Sequence, residues 1–89
     1  ADQRKANAEK RQQLAPLKKK INEIESLTAK IEKKIQELDA QLADPALYEK
    51  PASKAADLMK LRGEGVSRLA ALEEQWMELS AQYEEAMAS

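Results

Sequence analysis

From Leu14 onward the apolar residues return in alternating steps of three and four: Leu14, Leu17, Ile21, Ile24, then Thr28, then Ile31, Ile35, Leu38 and Leu42. That is the spacing of a heptad seam, since it keeps one stripe of a helix facing a partner. With Leu14 at position a, the a column is Leu14, Ile21, Thr28, Ile35 and Leu42, and the d column is Leu17, Ile24, Ile31 and Leu38. A strand would need alternation by two, which this segment lacks. A second run, Leu69, Leu72, Trp76, Leu79, Tyr83 and Ala86, repeats the pattern. Carried backwards, its frame places Gly65, Arg62 and Leu58 on the seam, with Leu61 and Val66 just beside it.

Between the runs lies DPALYEKPAS, residues 44–53, which holds two of the three prolines. Asp44 is placed to cap a short turn whose first helical residue is Pro45, because proline lacks the donor which that position leaves unpaired. Pro51 and Ser53 are start signals for a second helix. Leu47 and Tyr48 are apolar in a polar connection and are expected to fold over the end of the seam. So short a connection makes the helices antiparallel neighbours. The expected fold is all-α, a two-helix antiparallel coiled-coil hairpin with a short proline-containing tip. Its parts are a helix over about 14–43, a tip over 44–53 and a helix over about 54–87, together a hairpin domain of 14–89.

Residues 1–13 read as a separate, basic lead-in. Pro16 should start or kink the first helix, and the seam positions before it are Gln3, Asn7 and Lys10, which cannot drive packing. A partly frayed helix is expected there. A second weakness is the middle of the hairpin. Gly63 and Gly65 each cost about 1 kcal/mol against alanine in a helix, and an antiparallel fold sets polar Thr28 roughly opposite Gly65 to Leu72. A packing defect or a close approach of backbones is the plain reading, and a hinge the functional one. This region is expected to melt first.

Composition removes most chemistry. The 89 residues include no Cys and no His, so zinc fingers, thiol nucleophiles, imidazole bases and disulfides are excluded. There is no phosphate-binding glycine loop. Glu73–Glu74 and Glu84–Glu85 lie on a helix flank where solvation explains them, and no EF-hand spacing suggests a metal. Trp76 and Tyr83 fall on the seam and read as core aromatics. No apolar run approaches the roughly 20 residues that cross a bilayer. The chain starts ADQRK, without Met, which suggests a piece of a longer protein. It reads as non-catalytic and soluble.

Charge adds a direction. Net charge is −1, yet residues 1–20 carry seven basic side chains against two acidic ones, while residues 69–89 carry five acids and no base. On the heptad wheel Arg4, Arg11 and Lys18 share the e column, Lys5 and Lys19 stand next to it at f, and Lys20 lies at g. Beyond Lys18 the e column turns acidic, with Glu25, Glu32 and Asp39. On the g edge, Lys20 and Lys34 should meet Leu61, Arg68, Gln75 and Gln82, which offer no carboxylate. Unpaired cations at helical spacing suit a phosphate backbone, whose binding rests on counterion release. Arg4, Lys5, Arg11, Lys18, Lys19 and Lys20 are therefore the candidate nucleic-acid-binding residues. The other reading is a structural or protein-docking hairpin, able to dimerise into a four-helix bundle, whose charges keep it soluble.

APLKKKI at 15–21, LADPALYEK at 42–50 and LEEQWMELSAQYEEAM at 72–87 together resemble one family, the C-terminal coiled-coil domain of the class F ATP-binding cassette proteins, of the Uup and YheS kind. The most specific part is the tip, with Leu42, Asp44, Pro45, Leu47 and Tyr48. Next is Trp76 with Glu73 and Glu78 around it. The resemblance covers about residues 10–87. It implies a domain that follows two nucleotide-binding cassettes in a cytoplasmic ATPase without membrane spans. ATP and Mg would be bound only in those cassettes, and no cofactor in this chain. Partners implied are the cassettes themselves, the ribosome, and DNA or ribosomal RNA. The family's nucleic-acid contacts are less fixed in sequence than the tip, so the six basic residues rest on charge placement alone.

Overall fold

The computed structural model describes residues 2–88; Ala1 and Ser89, the outermost residues of the two expected segments, lie outside them. Helix α1 spans Asp2–Ala43, a 3-10 turn spans Pro45–Glu49, and helix α2 spans Ala52–Ala88. The two helices pack side by side along an antiparallel hairpin, 70 × 16 × 15 Å, and there is no strand among the described residues. The radius of gyration is 20.1 Å, against about 12 Å for a compact chain of this length. The protein is therefore a rod, and its core is a seam one side chain deep.

That seam is the heptad stripe. Every a and d residue of α1 from Leu14 to Leu42 is shielded from solvent to some degree, while the positions between them are exposed. Ile21 and Leu38, each 3% exposed, are its deepest members. In α2 the stripe runs Leu58, Arg62, Gly65, Leu69, Leu72, Leu79 and Tyr83, with Leu72 buried. Burying such side chains at roughly 1.5–3 kcal/mol each is what offsets the ordering of two long helices.

The tip stops α1 by a local rule. The ring of Pro45 disfavours helical backbone at the residue before it, and Asp44 is accordingly extended at φ −77° and ψ 119°. Its carboxylate then caps the 3-10 turn, accepting from the Ala46 amide at 3.0 Å. The Leu47 amide donates to the Asp44 carbonyl at 3.1 Å, and Leu47 turns inward to close the end of the seam. Tyr48 does not pack there: it is 61% exposed. Instead its hydroxyl donates to the carbonyl of Leu42 at 2.7 Å, tying the turn back to the last residues of α1. At the start of α2, the Lys54 amide donates to the Pro51 carbonyl at 3.0 Å.

Two sequence expectations are altered. α1 is continuous through Pro16, so residues 2–13 belong to the same helix as the seam. Proline removes one intrahelical bond, to the carbonyl of Gln12. Pro16 and Gln12 are both exposed, so water can satisfy that carbonyl while the turns on either side hold their geometry. The glycine region also differs from a single soft layer. A Cβ at Gly65 would meet Ile35 Cγ1 at 3.3 Å, whereas one at Gly63 would meet nothing within 4 Å. Gly65 thus marks a close approach of α2 to Ile35, while Thr28 belongs to a separate layer beside Trp76 and Met77.

Candidate nucleic-acid interface

Three contacts fix the register of the two helices. Lys18 Nζ lies over the Tyr83 ring, 5.3 Å from its centroid. Trp76 Nε1–H donates to Glu25 Oε1 at 2.9 Å. Arg62 donates to the Asp39 carboxylate. Each joins an e residue of α1 to a seam residue of α2, and the paired positions consistently add to 101 in residue number. In this register Ala88 stands level with position 13, so α1 runs past the described end of α2 by about ten residues, roughly 15 Å at 1.5 Å per residue.

The candidate basic residues sit on and next to that extension. Arg4, Lys5, Arg11, Lys18, Lys19 and Lys20 are all exposed on α1. Arg4, Arg11 and Lys18 are two helical turns apart along one column, spanning about 21 Å, with Lys5 and Lys19 on the adjoining face. Among the described residues none of the six has a carboxylate at ion-pair distance. They are not equivalent, however. Lys18 is held over an aromatic ring, an attraction between cation and ring quadrupole. Lys20 is on the other flank, in a groove with Glu23, Ile24, Leu27, Leu72, Gln75, Glu78 and Leu79. Five of the six therefore share one side of the rod, and Lys20 stands across the seam from them. Lys34, farther along that flank, lines a groove with Leu61, Glu64 and Arg68.

Below Lys18 the same column is acidic and better engaged. The Asp39 hydrogen bond and charge raise the pKa of Arg62, which holds its guanidinium more firmly protonated. Trp76 departs from its expected place in the core. It is 39% exposed and lies on the flank of the seam, its indole lining an open groove of about 350 Å³ with Thr28, Ala29, Met77, Glu25, Glu32 and Glu73. The reason is its polar edge: an indole N–H buried in a seam of Leu and Ile would lack an acceptor, and Glu25 supplies one only at the rim. The sequence carried this signal as an acid at an e position one heptad after Lys18, but using it requires the register.

Comparison with known proteins gives one finding. A model of the ABC transporter C-terminal domain family matches residues 9–81, most of the chain. Searches of curated proteins and of solved structures gave no significant match. No helix among the described residues is long and apolar enough to cross a membrane.

Proposed function

The chain belongs to the ABC transporter C-terminal domain family, and on that premise we propose that it is a non-catalytic accessory domain that holds nucleic acid against the open end of its hairpin. The observation that carries this reading is the run of Arg4, Lys5, Arg11, Lys18 and Lys19, exposed, on one side of α1 and, among the described residues, free of carboxylate partners. A helix face with cations every two turns meets a phosphate backbone without needing a base sequence, because the gain comes from released counterions. DNA and ribosomal RNA, free or on the ribosome, both present that chemistry. ATP, its Mg2+ and hydrolysis belong in this reading to cassettes outside this chain, working in the cytoplasm.

The test is a titration of the chain with labelled duplex DNA and with structured RNA at several salt concentrations. The expected log–log slope on the duplex is several units, at about 0.9 per phosphate neutralised, and Arg4→Glu with Arg11→Glu should lower both affinity and slope. Lys20→Glu, on the far flank, should change them least. Absence of binding at low salt, or a slope untouched by the arginine reversals, would remove the reading.

A further inference from the structure

The e column of α1 reads Arg4, Arg11, Lys18, Glu25, Glu32, Asp39, three cations and then three anions at a constant spacing of seven. It is complementary to itself in reverse. Arg4 and Asp39, Arg11 and Glu32, and Lys18 and Glu25 are all centred on one point, between Ile21 and Asn22. A second α1 laid antiparallel about a two-fold axis at that point meets the opposite charge at all six positions. Columns f and c lack this property: f reads Lys5, Gln12, Lys19, Ser26, Lys33, Ala40, and c reads Asp2, Glu9, Pro16, Glu23, Lys30, Glu37.

The flank beside this column is shaped for close approach. The b positions, which adjoin e on the side away from α2, are Ala8, Ala15, Asn22, Ala29 and Gln36. In the same two-fold register Ala15 meets Ala29, and Asn22 meets its own copy, where two amides can exchange hydrogen bonds. α2 adds apolar surface to this flank, with Val66 42%, Trp76 39% and Met77 64% exposed. The groove that Trp76 and Met77 border is rimmed by Glu25, Glu32 and Glu73. An arginine suits it, since a guanidinium both stacks on an indole and pairs with carboxylates.

We propose that this flank docks a second copy of the chain, antiparallel and two-fold, so that Arg11 of each copy enters the Trp76–Met77 groove of the other between Glu32 and Glu73. The occupant is a second copy because each charge along the column finds its complement there, and the two-fold axis uses every pair twice. Exposed ion pairs are individually weak, so the association rests on six of them together with the apolar groove, and it weakens as salt screens the charges. The inference does not depend on the nucleic-acid reading. Both use Arg4 and Arg11, so phosphate polymers and the second copy compete for them.

The experiment measures molar mass by light scattering and sedimentation over a range of concentrations, without nucleic acid. The native chain, 10.0 kDa, should move towards twice that mass at low salt and return to monomer near about 1 M salt, where the screening length is roughly 3 Å. Arg11→Glu and Glu32→Arg should each lose about tenfold or more in association, since either alone sets like charges at both symmetry-related pairs. Mixed in equal amounts, the two variants should associate again, because the heterodimer restores opposite charge at both. Far-UV circular dichroism checks that each exposed substitution leaves the helices intact. A native chain that stays monomeric at low salt overturns the inference, and so does a mixture that associates no better than its components. Failure of the nucleic-acid titration would leave these masses unchanged.

Discussion

At the closed end of the hairpin, Leu47 tucks under the seam, Asp44 caps the turn and Tyr48 ties back to Leu42. At the open end, α1 continues past the described end of α2 with Gln3 and Asn7 at positions where leucine would pack, and both are exposed. One end gains from each local interaction it makes. The other presents cations that nothing in the described hairpin neutralises. The contrast is that of a rod with one shallow seam: burial and capping concentrate where the chain reverses and along Ile21 to Leu38, and the proposed function draws on the cations at the open end.

The largest effects should fall on the seam between those ends. Ile21→Ala and Leu38→Ala each remove a side chain that is 3% exposed, and each is expected to cost about 2–4 kcal/mol in urea unfolding. If the two ends melted independently, the variants would broaden the transition differently, and the division drawn above would need redrawing. Next come the glycines. Gly63→Ala should stabilise by about 1 kcal/mol, the helix-propensity difference, because its Cβ meets nothing. Gly65→Ala should recover less than Gly63→Ala or destabilise, since Ile35 must give way at 3.3 Å. Equal gains at both positions would contradict the close approach.

Smaller effects sharpen the closed end. Asp44→Ala removes the cap on the Ala46 amide and should cost about 1 kcal/mol. Tyr48→Phe deletes only the hydroxyl bonded to Leu42 and should cost about 0.5–1 kcal/mol. Both losses should be read by thermal melting of the native chain and the variants. Neither substitution should alter nucleic-acid affinity, because both lie at the far end of the rod from Arg4 and Arg11.

Much of this architecture is legible in the sequence. The nine heptad positions from Leu14 to Leu42 are the shielded face of α1, and Asp44-Pro45 announced the turn, because both signals depend on side-chain type at fixed spacing. Less legible were features that depend on how two helices meet. Trp76 sits at a seam position, yet its indole turns out to Glu25, and only the register of 101 brings the two together. Pro16 looked like a boundary, but an exposed proline costs a helix one bond and need not end it when long segments hold on both sides. Charge placement makes Lys18 a candidate phosphate contact, and it does not reveal that Lys18 lies over the Tyr83 ring. As to the candidate interface, charge spacing places the cations on faces of α1, and the register sets the last described residue of α2, Ala88, level with position 13.

The chain has no cysteine, so a single one can carry a photo-crosslinker at a chosen end. Gln12→Cys places it at the open end between Lys5 and Lys19, and Ala46→Cys places it at the tip. Labelled duplex DNA should crosslink to the chain from position 12, with added salt abolishing the product, while position 46 should yield none. Crosslinking from the tip, or equally from both ends, would contradict the claim that the open end of the hairpin is its working surface.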